Sequence, residues 1–328
     1  EKFREMSPWW RQPKSGKNHN GYRKGPLSQD WADWGVHDQK LIDLDMVEWC
    51  EQVMDTPQKK PRFLAAGIFR PHLPFYADKE TFKKYPFKDT VMPEMPKNDL
   101  DDVSQVAIKM AHSEHFFYTN AIKDPEDRPG SLKKLVQCYQ ASADFADQMV
   151  GRLLDKLDET GKADNTIIVL WSDHGYHLGD KESCVKFTLW EKANHVPFII
   201  VAPGVTKPGS ICEAPVSLID IYPTLVEIAG LPKIKTDGNS LVPLMKNPKQ
   251  DWPPALMTMG RGNHAVRSDR WRYIRYYDGS EELYDHSKDP WEWTNLAMHS
   301  KYAEVIDEHK KWLPLNEIKE NFHLKMQD

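Results

Sequence analysis

Apolar residues recur every three or four positions across residues 131–160, from Leu132, Leu135 and Val136 through Met149 and Val150 to Leu157. That is the period of one face of a helix. Ser131 stands where an N-cap belongs and Gly161 where the chain must turn out of the helix, so a helix is expected between them. Residues 38–54 show a second helical pattern, with Leu41, Leu44, Val47 and Val53 interleaved with charges and Pro57 to Pro61 behind it. Other stretches are short and mainly apolar. Residues 62–68, 165–171 and 196–201 are of this kind and read as strands buried on both faces.

Further stretches complete the outline. Residues 1–36 have neither period; they read as loop, either a surface loop pinned by Trp9, Trp10, Trp31 and Trp34 or one lining a cleft. Residues 76–130 are Pro-rich and charged, with room for only short helical pieces. Ser217 to Ala229 reads as a helix ended by Gly230. From about Asp251 the character changes to short aromatic and β-branched runs at 255–259, 264–267, 270–277 and 281–284, with Asp278-Gly279 as a hairpin signal. A final helix is expected near Tyr302–Trp312.

The helix at 131–160 running straight into a strand suggests an α/β fold, a mostly parallel sheet flanked by helices. Two domains are expected: residues 1–250, and a small antiparallel α+β subdomain over 251–328.

Composition adds limits. The chain has 328 residues, 40% hydrophobic and 28% charged, as in ordinary globular proteins. A net charge of −5 gives no reason to expect nucleic acid or an anionic membrane as partner, and no apolar run reaches the roughly 20 residues of a membrane span. Cys50, Cys138, Cys184 and Cys212 form no C-x-x-C pair, so a zinc site built from them is not expected; thiols and disulfides both stay open.

Candidate chemistry concentrates behind the strand at 165–171. It breaks into Ser172-Asp173-His174-Gly175, and ligands bind in the crevice beyond the carboxyl ends of strands in open α/β sheets. A carboxylate and an imidazole side by side there can hold a metal ion, although an isolated Asp-His pair after a strand is more often a turn residue and a hydrogen-bonded histidine. Lys186 lies on the same loop and could return positive charge to that mouth; alone, it would read as a solvent-facing lysine. His72 follows the run at 62–68 in the same way, beside Arg70.

SDHGYHLGDK (172–181) with Lys186 resembles the second active-site segment of the type I sulfatases, in the alkaline-phosphatase-like superfamily. GIFRPHLPF (67–75), HVPFIIVAPG (195–204), PVSLIDIYPTLVEIAGLP (215–232) and DGSEELYDHSKDPWEWTNLA (278–297) support it, and the nearest likeness is to iduronate-2-sulfatase-like enzymes. The resemblance implies that Asp173 and His174 help hold a divalent cation, usually calcium, with Asp173 the better suited because calcium prefers oxygen. It implies that Lys186 contacts the sulfate, and that His72 contacts it or protonates the departing alcohol. Arg70, His177 and His264 are weaker candidates for substrate contact. The implied partner is a sulfated small molecule or glycan, and the family is usually exported to periplasm, lysosome or the extracellular space.

The same resemblance exposes a gap. Type I sulfatases attack sulfur with a formylglycine made from the Cys or Ser of C/S-x-P-x-R, and no such motif occurs in these residues. The family's paired aspartates and its G-K segment are also not found. The expectation is an N-terminally incomplete sulfatase that needs its own N-terminal segment and is inactive and poorly stable by itself. A phosphoesterase or phosphonate hydrolase of the same superfamily, and a non-catalytic carbohydrate-binding domain, are the alternatives.

Overall fold

The computed structural model describes residues 41–113, 118–119, 121–122 and 131–316. The reading of residues 1–36 falls outside them. The chain forms two compact units: residues 1–94 with 116–165, and residues 95–115 with 166–328.

In the first unit the periodic stretch forms the helix Leu132–Glu159, capped by the Ser131 side chain accepting from the Lys134 amide. Its apolar face buries Leu135, Cys138, Ala141 and Phe145. The helix Ile42–Asp55 pairs with it through Arg152, whose Nε and Nη2 reach the Glu51 carboxylate at 3.0 and 2.7 Å. A short helix, Lys79–Lys83, is fastened to the long one by Lys84 and Tyr85 on Asp144, at 3.0 and 2.8 Å. The expected strand over 62–68 is not formed. Phe63 is 83% exposed, and without a neighbouring ladder an apolar run has nothing to satisfy its backbone.

The second unit holds six strands among the described residues. β1 (Ile168–Trp171) pairs antiparallel with β2 (Phe198–Val201). β3 (Ala255–Thr258), β4 (His264–Arg267), β5 (Trp271–Arg275) and β6 (Glu281–Asp285) form an antiparallel sheet in chain order. The mostly parallel sheet is therefore not what the described residues build. Nor are β1 and β2 covered on both faces: Trp171, Ile199 and Val201 lie about half exposed. Two strands joined by a loop of this length can pair antiparallel, and a lone pair leaves a broad face open.

Alternation organises the four-stranded sheet. Ala265, Ile274 and Tyr284 face a core shared with Val106 and Met110 of the helix Gln105–Ala111 and with Leu189 and Trp190. Val266, Tyr273 and Leu283 face the other way, onto Ile306 of the C-terminal helix Ala303–Lys310. The β5–β6 turn is the expected Asp278-Gly279, with Gly279 at φ +84°. All four cysteines are unbridged; Cys212 is exposed and the others are buried. Among the described residues no helix is long and apolar enough to cross a membrane.

A charged chain runs through this unit. Arg272 of β5 is buried, its Nε 2.6 Å from Glu292 Oε1 and its Nη2 on Glu191 Oε2. Glu292 in turn accepts from the Glu191 amide at 2.8 Å and meets His286 Nε2 at 2.8 Å. Arg272→Met would take the nearest cation from the buried Glu292 and leave Glu191 to Arg267. We expect a loss of about 3–5 kcal/mol, read as a lower denaturant midpoint with an unchanged slope.

Candidate active site

β1 ends at Trp171 and the chain turns at once into the candidate loop. Ser172 N donates to Pro197 O at 3.3 Å, and Ser172 Oγ to His174 O at 3.0 Å. These bonds keep the strand's pairing while releasing Asp173 and His174 from it. The Asp173 side chain is 76% exposed, with Oδ1 accepting from the His174 amide at 3.0 Å. His174 Nδ1 lies 2.7 Å from Gly175 O, so it must be the donor, and in the neutral ring the acceptor lone pair is then on Nε2. That Nε2 stands 3.6 Å from Asp173 Oδ2.

This donor set fits two ligands of a divalent cation: a hard carboxylate oxygen and an imidazole whose other nitrogen is fixed by a carbonyl. It is only part of a coordination shell. Among the described residues, the group of three potential ligands that gathers is elsewhere: Glu191, His286 and Glu292, with one ligand atom of each within 4.8 Å of the others. There the guanidinium groups of Arg272 and Arg267 already supply the positive charge. Arg272 and Arg267 hold the Glu191 carboxyl at about 2, against burial, which would raise it. Its contribution to stability is therefore present above the ordinary glutamate range and is lost only as pH falls towards 2.

Gly175 fixes the entry to the loop. Its amide donates to Ala193 O at 2.8 Å, and a Cβ on it would lie 2.0 Å from Lys192 O. Two further backbone bonds close the loop on itself: His177 N to Val185 O at 2.9 Å, and Gly179 N to Ser183 O at 2.8 Å. Lys186 follows Val185, beside the rung made by His177, and its Nζ lies 5.7 Å from the centroid of the Phe187 ring. The tip bends through Lys181 and Glu182, at φ +53° and +50°, an unfavourable pair for residues with a Cβ. Lys181 holds that bend from inside: its amide donates to Asp99 Oδ2 at 3.1 Å and its ammonium to Asp99 Oδ1 at 2.5 Å and to Glu292 O.

The expected site residues thus divide. Asp173, His174 and Lys186 belong to one loop of the second unit. His72 belongs to the first unit, in the turn Phe69–Tyr76, which has cis bonds before Pro71 and Pro74. It is exposed, with Nδ1 2.7 Å from Leu73 O, which again leaves Nε2 as the acceptor of the neutral ring. Arg70 is buried, not presented: Nε donates to Tyr76 O at 3.2 Å and Nη1 lies 3.9 Å from Asp43. His177 has a fully buried side chain between Asp180 and Thr188. His264 is buried on β4, with Nδ1 2.9 Å from Thr258 Oγ1, and the Gly260–Gly262 turn serves the β3–β4 hairpin. The substrate contacts expected of these three give way to internal ones, because each ring or guanidinium is enclosed by its partners.

Sequence reading passed over Asp99, Asp180, Lys181, Glu191 and Glu292. Asp180 had a signal, three residues after His177; the others are joined across 82 to 111 positions, which no local pattern reveals.

A family model described as Sulfatase matches residues 2–231, and one described as N-sulphoglucosamine sulphohydrolase, C-terminal, matches residues 179–320. The chain belongs to the sulfatase family. It is 39% identical over 298 residues to a sulfatase of Formosa agariphila, covering 89% of this chain and 58% of that protein. It is 26% identical over 326 residues to a Delta 4,5-hexuronate-2-O-sulfatase of Bacteroides thetaiotaomicron, covering 91% of this chain and 67% of that one. Among solved structures, a phosphonate monoester hydrolase from Silicibacter pomeroyi superposes with a TM-score of 0.71 at 24% identity, over 94% of this chain and 68% of that one. The fold is accordingly alkaline-phosphatase-like. The chain spans little more than half the length of the Formosa relative.

Two measurements check this geometry. Gly175→Ala forces the Lys192 carbonyl away, and we expect loss of ordered structure at the loop, read as faster amide exchange at Gly175 and His177. The second concerns Glu282, buried beside Trp190 Nε1 and Tyr284 OH at 2.8 Å each. Burial pushes its carboxyl up to about 7, against those hydrogen bonds and Lys181. A raised folded value favours the protonated fold, so this contribution is full below the ordinary glutamate range and disappears as pH rises through about 7. Glu282→Gln should flatten the fall in unfolding midpoint between those limits.

Proposed function

We propose that the protein carrying this sequence hydrolyses sulfate esters of a sugar, with these residues supplying the cation ligands and the charged groups around the sulfate. The observation that carries the reading is the loop after β1. It turns the Asp173 carboxylate and His174 Nε2 outward together and holds Lys186 on its returning limb, within a sulfatase-family match over residues 2–231. The sugar is supported by the N-sulphoglucosamine sulphohydrolase C-terminal match and by the hexuronate sulfatase relative. Export from the cytoplasm is proposed with it, from the family alone.

Asp173 and His174 would hold a divalent cation, calcium by the preference of carboxylate oxygen; bound there, it would neutralise sulfate charge. The nucleophile is a formylglycine outside these 328 residues, since they contain no C/S-x-P-x-R. The work of this chain is then to bind and to move a proton. The Lys186 ammonium offsets charge that grows on the bridging oxygen as the S–O bond breaks. His72, if protonated on Nε2, gives that proton to the departing sugar oxygen. The phosphonate hydrolase neighbour supports a second reading, the same scaffold acting on a phosphoryl or phosphonyl ester.

In the full-length protein, removal of divalent metal should abolish turnover of sulfated sugars, and added calcium should restore it. Lys186→Ala should lower kcat/KM by about 10²–10³-fold. His72→Ala should cost about 10²–10⁴-fold on a sugar sulfate and far less on an aryl sulfate, whose phenolate leaves without help. Preference for phosphonate over sulfate esters would move the assignment to the second reading. Expressed alone, the 328-residue chain should turn over no sulfate ester, and turnover would refute an external nucleophile.

A further inference from the structure

We infer that Asp180, His177 and Thr188 form a positioning relay that sets the place of Lys186. The inference rests on the reading of Lys186 as a sulfate-contacting residue. His177 Nδ1 lies 2.5 Å from Asp180 Oδ2, and its Nε2 2.7 Å from Thr188 Oγ1. A carboxylate only accepts, so Nδ1 carries the hydrogen; Nε2 of the neutral ring then accepts, and the Thr188 hydroxyl donates to it. Asp180 Oδ1 takes the Leu178 amide at 3.0 Å, which completes the turn beneath the ring. Burial acts to raise the Asp180 carboxyl, but its surroundings, the hydrogen bonds from His177 and the Leu178 amide among them, keep it below its ordinary value.

This relay brackets Lys186 on both sides. The His177 amide holds Val185 O at 2.9 Å, one residue before it. The Thr188 amide holds Lys186 O itself at 2.9 Å, and the Thr188 hydroxyl is the relay's end. The His177 backbone therefore fixes the chain just before Lys186, and its ring fixes Thr188 just after it. Trp190 stands perpendicular to that ring at 6.1 Å between centroids and closes its fourth side. Thr188 and His177 are buried, so neither reaches a substrate; they act through the lysine between them. A lysine stem has four rotatable bonds, and an ammonium that must meet one developing charge gains from a backbone that cannot shift.

The test is a double-mutant cycle in the full-length, matured protein, on a sulfated sugar. Thr188→Val keeps the volume and removes the hydroxyl. We expect kcat to fall roughly ten- to a hundredfold while KM changes by less than about threefold, and Thr188→Ser to restore kcat. In a Lys186→Ala background the same Thr188→Val change should alter kcat by less than about twofold, because the group being positioned is gone. A role limited to holding the loop folded would lower the unfolding midpoint and act equally in both backgrounds. Should Thr188→Val not fold, Asp180→Asn carries the same comparison. Equal effects with and without Lys186, or an unaffected kcat, overturn the relay while leaving the sulfatase reading intact. A wild type that turns over no sulfate ester, in a protein shown to bind calcium, overturns both.

Discussion

Arg272 is the charge around which the second unit is arranged. It enters from the middle of β5, and its guanidinium is enclosed between Glu292 and Glu191. Taking such charges out of water is costly and is recovered only where geometry and further hydrogen bonds are good. Here the carboxylates have other work as well. Glu292 accepts the amide of Glu191 and meets His286, and its carbonyl receives Lys181. Through Glu292 the network meets the candidate loop at its tip, on Lys181, and the chain beyond it at Glu191. The network joins β5, the segment after the loop and the loop's tip through one set of buried charges.

Within the loop, polar residues follow a division of labour set by exposure. Asp173 and His174 face outward, each with one atom tied to the nearest backbone so that the other is aimed. His177, Asp180, Lys181 and Thr188 face inward and are consumed by the structure. The inward set allows the unfavourable backbone at Lys181 and Glu182 to persist, since Asp99 grips Lys181 by its amide and its ammonium. Glu282 lies under the same residues as a carboxyl that prefers its proton. Burial raises the Glu282 carboxyl to about 7, whereas Glu191 stays ionised far into acid.

How legible this was depended on range. The helices at Leu132–Glu159 and Ile42–Asp55 were readable because their period lies within each segment, and Ser131 and Gly161 mark the ends of the longer one. The C-terminal strands were readable because alternation and the Asp278-Gly279 turn are also local. Residues 62–68 carry the same apolar signature yet form no strand, and β1 with β2 pairs antiparallel with a face open. An apolar run states that it can be buried; what buries it, and in which direction it pairs, depends on a partner strand elsewhere.

By itself, the sequence determined the family, the helical periods, the hairpins of the last third and the loop bearing Asp173, His174 and Lys186. Each of these is written in neighbouring residues or in motifs that occupy one stretch. Only the tertiary structure decided which histidines and cations are available for chemistry. His174 and His177 are three residues apart on one glycine-bounded loop, and nothing local separates them; the position of Asp180 and Thr188 around one ring does. Arg70, Arg272 and Lys181 are likewise held inside by Asp43, Glu292 and Asp99, partners that no neighbouring residue supplies. Burial of a charge is a property of the pair, and the pair exists only once the chain has folded.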